Sequence, residues 1–239
     1  MIRFLKRNEI DIARWDRCIS EAANGQIFVY SYYMDVCCKH WGALVEGDYE
    51  SVFPIAWDQK FGISYLYQPH YTRHFGVYGK TNNKESVAEF IAQLPKQFNY
   101  IDFSIIQNDI ASLVGISTEE KVHQQLSLGK TIEEIRSKYS DNLKRNLKKA
   151  AAESYTTTTD FSHTIIIEEF RKLKNEKDLD YSEKNLVTLG KLMQAISDQG
   201  ISYQMGIKKG EELIAGAFFM ETNNRIIYLK GFSKEEGKK

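Results

Sequence analysis

Residues 202–232 read SYQMGIKKGEELIAGAFFMETNNRIIYLKGF, three apolar runs separated by two turn signals. The runs are Ser202–Ile207, Leu213–Glu221 and Arg225–Phe232, and the breaks are Lys209-Gly210-Glu211 and Asn223-Asn224. Gly and Asn accept the left-handed backbone of tight hairpins, so the stretch is expected to form a three-stranded antiparallel meander. Upstream, Ser182 can cap a helix whose Leu186, Leu189, Met193 and Ile196 share one face, with Gly200 at its end. A further helix is expected over 164–175. The β-branched run Tyr155–Phe161 before it is expected to be a strand.

The N-terminal part has the same order. A strand over 2–5 leads to a helix at about 9–23 with Ile12, Trp15, Ile19 and Ala22 on one face, stopped by Asn24-Gly25. Ser31 is expected to cap a second helix, with Met34, Cys37, Cys38 and Trp41 as its buried stripe and Gly42 as its end. Strands Ala43–Glu46, Tyr49–Trp57 and Ile63–Tyr67 follow. Residues 2–67 and 155–232 therefore share the order strand, helix, helix, strand, strand, strand. The first copy goes on through an aromatic loop at 68–80, a helix marked by Val87, Phe90, Ile91 and Leu94, a strand over Tyr100–Ile106, and a short helix plus strand over 107–127.

Between the copies, Thr131 with Glu134 makes a capping box, and Ser140 can cap the basic helix 142–153. The expected organisation is a first lobe over 1–128, a helical connection over 129–153 and a second lobe over 154–239. The fold class is α/β in the broad sense (α+β), each lobe a mixed, mostly antiparallel sheet flanked by helices. The second lobe is expected to be incomplete at Gly231–Lys239, where its own loop and helix would begin, leaving an apolar face for further chain or a partner to cover.

Composition sets limits. Hydrophobic residues are 42% of 239 and charged residues 27%, enough to bury a core, and only 3 prolines argue against long disordered linkers. Lys+Arg and Asp+Glu are 32 each, so no global field steers the chain to nucleic acid or an anionic membrane. Cys18, Cys37 and Cys38 are an odd number with no metal-ligand spacing, so neither a disulfide framework nor a zinc site is expected. No apolar run approaches a membrane span and no signal peptide opens the chain; a cytoplasmic protein is expected.

The element order, with the stretches Ser140–Ala150, Leu213–Phe219 and Ile227–Ser233, resembles the GNAT acyltransferase fold taken twice, and more narrowly the FemAB/FemX-like N-acyltransferases. That resemblance implies transfer of an acyl group from acyl-CoA to an amine acceptor, a small molecule or a peptide. It places the donor site on the second lobe at Lys230, Gly231, Phe232, Ser233 and Gly237. FemX-like relatives use aminoacyl-tRNA instead, and a non-catalytic binding protein that kept the fold is the remaining alternative. The family's glycine-containing phosphate loop, Gln/Arg-x-x-Gly-x-Gly/Ala, is absent after the fourth strand of the first lobe, where Gln68–Gly79 stands.

Four residues of that loop, His70, Tyr71, Arg73 and His74, are candidates to line the cleft between lobes, against a plain surface role. Lys144, Arg145, Lys148 and Lys149 form neighbouring pairs on a helix and could meet tRNA or CoA phosphates; the alternative is a solvated helix face. Tyr228, Lys230 and Phe232 alternate on the last strand and are expected to share one face, with Lys230 the strongest functional candidate. Glu221 and Glu46 stand at strand ends as turn residues, and no catalytic base is assigned. No Gly-x-Ser-x-Gly, His-Glu-x-x-His or P-loop motif occurs.

Overall fold

The computed structural model describes residues 1–80, 83–106, 117–177 and 182–238. Both copies of the repeat are present. The first runs β1 (Ile2–Lys6), α1 (Ile12–Glu21), α2 (Ser31–Cys37), β2 (His40–Glu46), β3 (Ser51–Lys60) and β4 (Ile63–Tyr67). It continues through β5 (Tyr78–Gly79), α3 (Lys84–Ala92) and β6 (Phe98–Asp102). Two connecting helices, α4 (Ile132–Ser137) and α5 (Asp141–Ala151), lead to the second copy. That copy runs β7 (Tyr155–Thr158), α6 (Thr164–Lys177), α7 (Glu183–Asp198), β8 (Ser202–Lys209), β9 (Glu212–Thr222) and β10 (Arg225–Ser233).

Sheet order follows the repeat. The first sheet is β1-β2-β3-β4-β6 with β5 on β3, antiparallel except for the parallel pair β4–β6. The second is β10-β9-β8-β7, antiparallel throughout. The hairpin turns hold the predicted residues: Gly210, Asn223 and Asn224 all have positive φ, at 59°, 49° and 56°. Gly200, at φ 68°, ends α7 as expected. The capping box also forms, with the Glu134 amide donating to Thr131 Oγ1 at 3.2 Å and the Thr131 amide to Glu134 Oε2 at 2.9 Å.

Three local expectations are overturned. The second helix stops at Cys37; Cys38 is extended, and Trp41 and Gly42 belong to β2, paired with Ala56 and Ile55. A Cβ on Gly42 would come within 2.4 Å of the Leu5 carbonyl, so this glycine permits the close approach of β1 and β2 and ends no helix. Ser31 does not cap with its own side chain: its amide and hydroxyl both donate to Asp16, at 2.8 and 2.6 Å, so a carboxylate of α1 binds the start of α2. Gly25 is not left-handed. Helix α1 ends at Ala22 in extended backbone, and a Cβ on Gly25 would meet the Ile19 carbonyl at 2.2 Å. Of the short helix and strand expected over 107–127, residues 107–116 lie outside the described residues and 117–127 form no regular element.

The main core spans both copies. Trp15 and Ile19 of α1 and Tyr33 and Met34 of α2 join Leu186, Leu189 and Met193 of α7 and Phe218 and Met220 of β9 in one buried cluster. A second core fills the other face of the first sheet, where Leu44, Phe53, Ile55 and Leu66 pack on Val87 and Phe90 of α3. The corresponding face of the second sheet is open, with Met205, Ile226 and Tyr228 each about half exposed (50%, 45% and 48%). Among the described residues no helix is long and apolar enough to cross a membrane.

Candidate functional site

The seam between the lobes runs from the tip of the β9–β10 hairpin to the loop that follows β4. At the tip, Asn223 Nδ2 donates to the Ile19 and Ser20 carbonyls at 3.3 and 3.2 Å, and Tyr30 donates its hydroxyl to Asn223 Oδ1 at 3.1 Å. One strand position further, Arg225 Nη1 donates to the Gly25 carbonyl at 2.8 Å. Past it along β10, Arg73 Nη2 donates to the Tyr228 carbonyl at 3.2 Å. One flank of β10 pairs with β9; the first lobe supplies contacts at three points along the strand.

The loop 68–76 is held by its own hydrogen bonds before it meets the second lobe. Gln68 donates to Thr72 Oγ1 at 2.5 Å and accepts from the Ser104 amide at 2.9 Å, while the Thr72 hydroxyl donates to the Pro69 carbonyl at 2.6 Å. Tyr71 takes a positive φ of 68°, a strained setting for a bulky residue. Its carbonyl accepts from the Tyr33 hydroxyl at 2.5 Å, and its own hydroxyl donates to the Asn185 carbonyl in the first turn of α7 at 2.9 Å. His70 Nε2 lies 3.4 Å from Asn185 Nδ2. The four loop candidates thus reach the seam, though in different roles.

His70 and His74 do not converge. His74 is buried, edge-on to Phe28 at 6.0 Å and to His123 at 5.5 Å, with no partner for Nδ1 among the described residues. Burial above all, then the neighbouring His123, pushes its imidazole down to about 4, so the ring is neutral at pH 7. His70 stays on the exposed rim beside Asn185.

The last strand departs from the alternation expected of it. Tyr228 pairs with Phe219 but Lys230 pairs with Phe218, so Leu229 is an extra residue in a β-bulge. One extra residue reverses which face the following side chains take. Tyr228 therefore lies on the open face, 5.8 Å from the Phe219 ring, which in turn stacks on Tyr203 at 5.1 Å. Lys230 and Phe232 lie on the opposite, helix-covered face: Lys230 Nζ sits 4.6 Å above the Phe170 ring of α6 and Phe232 is buried. The three residues do not share a face.

Residues 233–237 fold back on their own sheet. The Lys234 amide donates to the Ile214 carbonyl at 2.9 Å, Lys234 Nζ pairs with Glu212 at 2.9 Å, and Lys209 pairs with Glu236 at 2.5 Å. A Cβ on Gly237 would meet the Ile214 carbonyl and Ser233 Oγ, each at 2.8 Å, so its small size serves close packing. The only helical element there is a three-residue 3-10 turn, Glu236–Lys238, with a glutamate in it. A pyrophosphate cradle needs free amides at a sustained helix start and no competing carboxylate. These residues do not fit one.

Helix α5 is exposed along its whole length, and Lys144, Arg145, Lys148 and Lys149 project from it with Asp141, 3.9 Å from Lys144, as the nearby acid. Glu46 ends β2 opposite Ile2 and Ser51, and Glu221 is exposed on β9 opposite Ile226; neither reaches the seam loop. The cysteines behave as small buried hydrophobes, with burial raising the Cys18 thiol to about 11 and those of Cys37 and Cys38 further still. Asn185, Asn223 and Arg225 were not singled out from sequence. Asn223 was marked only as a turn residue, and nothing local to 185 or 225 announces a partner in the other lobe.

No protein family and no curated protein matches the chain by sequence. Among solved structures it is similar to one titled "Crystal structure of FemX", at 11% identity, with a TM-score of 0.65 over 98% of this chain and 81% of that one. At this identity the likeness shows the fold: a FemX-like, two-lobe α+β architecture.

Proposed function

We propose that the chain is a transferase that passes an acyl group to an amine acceptor at the seam between β10 and the loop 70–74. The observation that carries this reading is the FemX-like fold along nearly the whole chain, combined with a bulged strand turned toward a first-lobe loop that holds Arg73 and His70. Acyl transfer to an amine needs a group to steady the developing oxyanion and a base to take the amine proton. Arg73 already donates to a backbone carbonyl at the bulge and has further N–H groups to offer an oxyanion. His70, titratable and on the exposed rim, is the candidate base. Asn185 holds its ring at the second lobe.

Two donors follow from the resemblance, and the contacts of 233–237 favour one of them. Acyl-CoA would place its pyrophosphate where Glu236 and Glu212 are engaged in ion pairs. An aminoacyl-tRNA would instead meet the four cations of α5, which no fold contact uses. We favour the aminoacyl-tRNA.

The test is a binding assay with aminoacyl-tRNA across a salt series, run beside thermal shift with acetyl-CoA and longer acyl-CoAs. The tRNA reading expects log K to fall against log salt with a slope of about −3 if four phosphates are contacted, and expects the Lys144→Gln, Lys148→Gln pair to flatten it. Stabilisation by acyl-CoA alone would return the donor to the CoA class. Response to neither would leave a binding protein that kept the fold. Transfer activity, once found, should fall in His70→Ala and Arg73→Ala; unchanged turnover in both would remove the seam from the mechanism.

A further inference from the structure

A hollow of about 450 Å³ opens at the end of the first sheet, formed where β1 gives way to the turn at Arg7 and α2 gives way to β2. None of its lining residues belongs to the seam. One wall is aromatic: the His40 and Trp57 rings lie nearly parallel, 6.0 Å apart at 21°, with Phe4 and Phe98 backing Trp57 at 5.9 and 5.8 Å. The opposite side holds Arg7 over the Trp41 ring at 5.3 Å. Its Nε and Nη2 both donate to Asp35 at 2.7 Å, and Trp41 Nε1 donates to the same carboxylate at 2.7 Å.

This network fixes the guanidinium without exhausting it. A guanidinium has five N–H groups in a rigid fork. Asp35 takes two, and the other three have no hydrogen-bond partner among the described residues. Asp35 is itself saturated by three donors. Burial pushes its carboxyl up, but the bonds from Arg7 and Trp41 outweigh this and hold it below the usual carboxylate range, so it stays charged and keeps Arg7 in place. Lys6 and Lys39 add positive charge at the rim, with Asp58 on Lys39 the one further acid, 2.7 Å away. The hollow therefore joins a flat aromatic wall to a pre-set fork of donors and a net positive rim. Its volume lies within the range of small-molecule sites.

We propose that this hollow binds a small aromatic carboxylate, its ring against Trp57 and His40 and its two oxygens on the free edge of the Arg7 guanidinium. The fork matches the paired oxygens of a carboxylate, and stacking supplies the second anchor. The site stands whether or not the transferase reading does.

The two lining tryptophans give the readout. 3-Phenylpropionate, which is transparent at the excitation wavelength of tryptophan, should change the emission of the full chain in a saturable way. 3-Phenylpropanamide and acetate, each lacking one of the two anchors, should bind about tenfold more weakly or worse. Arg7→Lys keeps the charge but loses the fork, and should also cost about tenfold. His40→Ala, remote from the Arg7–Asp35 network, should weaken phenylpropionate and leave acetate unchanged, which covers the case in which the Arg7 variant is unstable. An absent or non-saturable response to phenylpropionate overturns the site. An equal response to inorganic phosphate overturns the carboxylate assignment.

Discussion

The two hairpins that close the repeats, β3–β4 and β9–β10, are built alike and end differently. Each turns through two residues of positive φ, Phe61-Gly62 at 52° and 79° in the first lobe and Asn223-Asn224 at 49° and 56° in the second. Phe61 points into solvent, 92% exposed, and a Cβ on Gly62 would touch nothing within 4 Å. Asn223 instead hooks the end of α1 through two carbonyls and Tyr30. The strands that follow diverge as well. β4 is closed by the parallel strand β6 and its sheet is covered by α3, whereas β10 is met at its edge by Arg73 and its outer face carries the open row Tyr203, Phe219 and Tyr228. One local pattern thus serves as a finished sheet in one lobe and as an interface in the other.

The sharpest way to break this contrast is in the cores. Phe53 is fully buried on the covered face, against Phe90 and Phe103 at 6.2 and 5.8 Å. Phe53→Ala should cost about 3–5 kcal/mol in chemical denaturation. Phe219→Ala, on the open face, should cost about 1 kcal/mol or less. Similar losses would mean that the second face is covered in solution.

The next effect is a pH dependence lodged at the seam. His74 has a folded-state value of about 4 against an ordinary 6.5, set first by burial and then by His123. Between these values the unfolded chain binds a proton that the folded chain does not, so stability is complete above pH 6.5, falls as the pH drops and levels off below about 4. The whole loss is about 3 kcal/mol. Denaturation midpoints at pH 7 and pH 4.5 should differ accordingly, and His74→Phe should shrink the difference; an unchanged pH profile in that variant would place the acid sensitivity elsewhere.

The turns give the two smaller tests. Asn223→Ala removes the hooks and puts a Cβ residue poorly suited to positive φ at the tip, for an expected loss of about 2 kcal/mol. Amide exchange along β10 should rise with it. At the equivalent tip in the first lobe, Phe61→Asn should be neutral or gain about 0.5 kcal/mol, because Asn tolerates the left-handed region and no contact is lost. A large penalty at Phe61 would contradict a solvent-exposed tip.

Much of this was legible before any coordinates. The doubled element order, the stripe Leu186, Leu189, Met193, Ile196, the capping box at Thr131 and Glu134 and the meander turns all appear where the sequence places them. Each rests on spacing of 2 or 3.6 residues or on one residue's backbone preference, which are properties of a short window. The loop 68–76 was legible as a cleft element because aromatic, basic and imidazole groups crowd into it, although what each side chain binds was not. Trp41 was assigned to a helix because its spacing from Met34, Cys37 and Cys38 is helical; the pairing of His40–Glu46 with β3 outweighs that pattern by burying Trp41 against Trp15, 5.5 Å away.

By itself the sequence determined which segments are strands and helices, in what order and with which apolar stripes, because those depend on neighbours within a few residues. The tertiary structure determined the rest. The bulge at Leu229 turns Tyr228 away from Lys230, because register belongs to the ladder with β9 and not to β10 alone. The seam joins Arg225 to Gly25 across 200 residues of chain, and the hollow joins Arg7 to Asp35 and Trp57. Such meetings depend on how whole layers pack, and no window of sequence short enough to carry a periodic signal contains both partners.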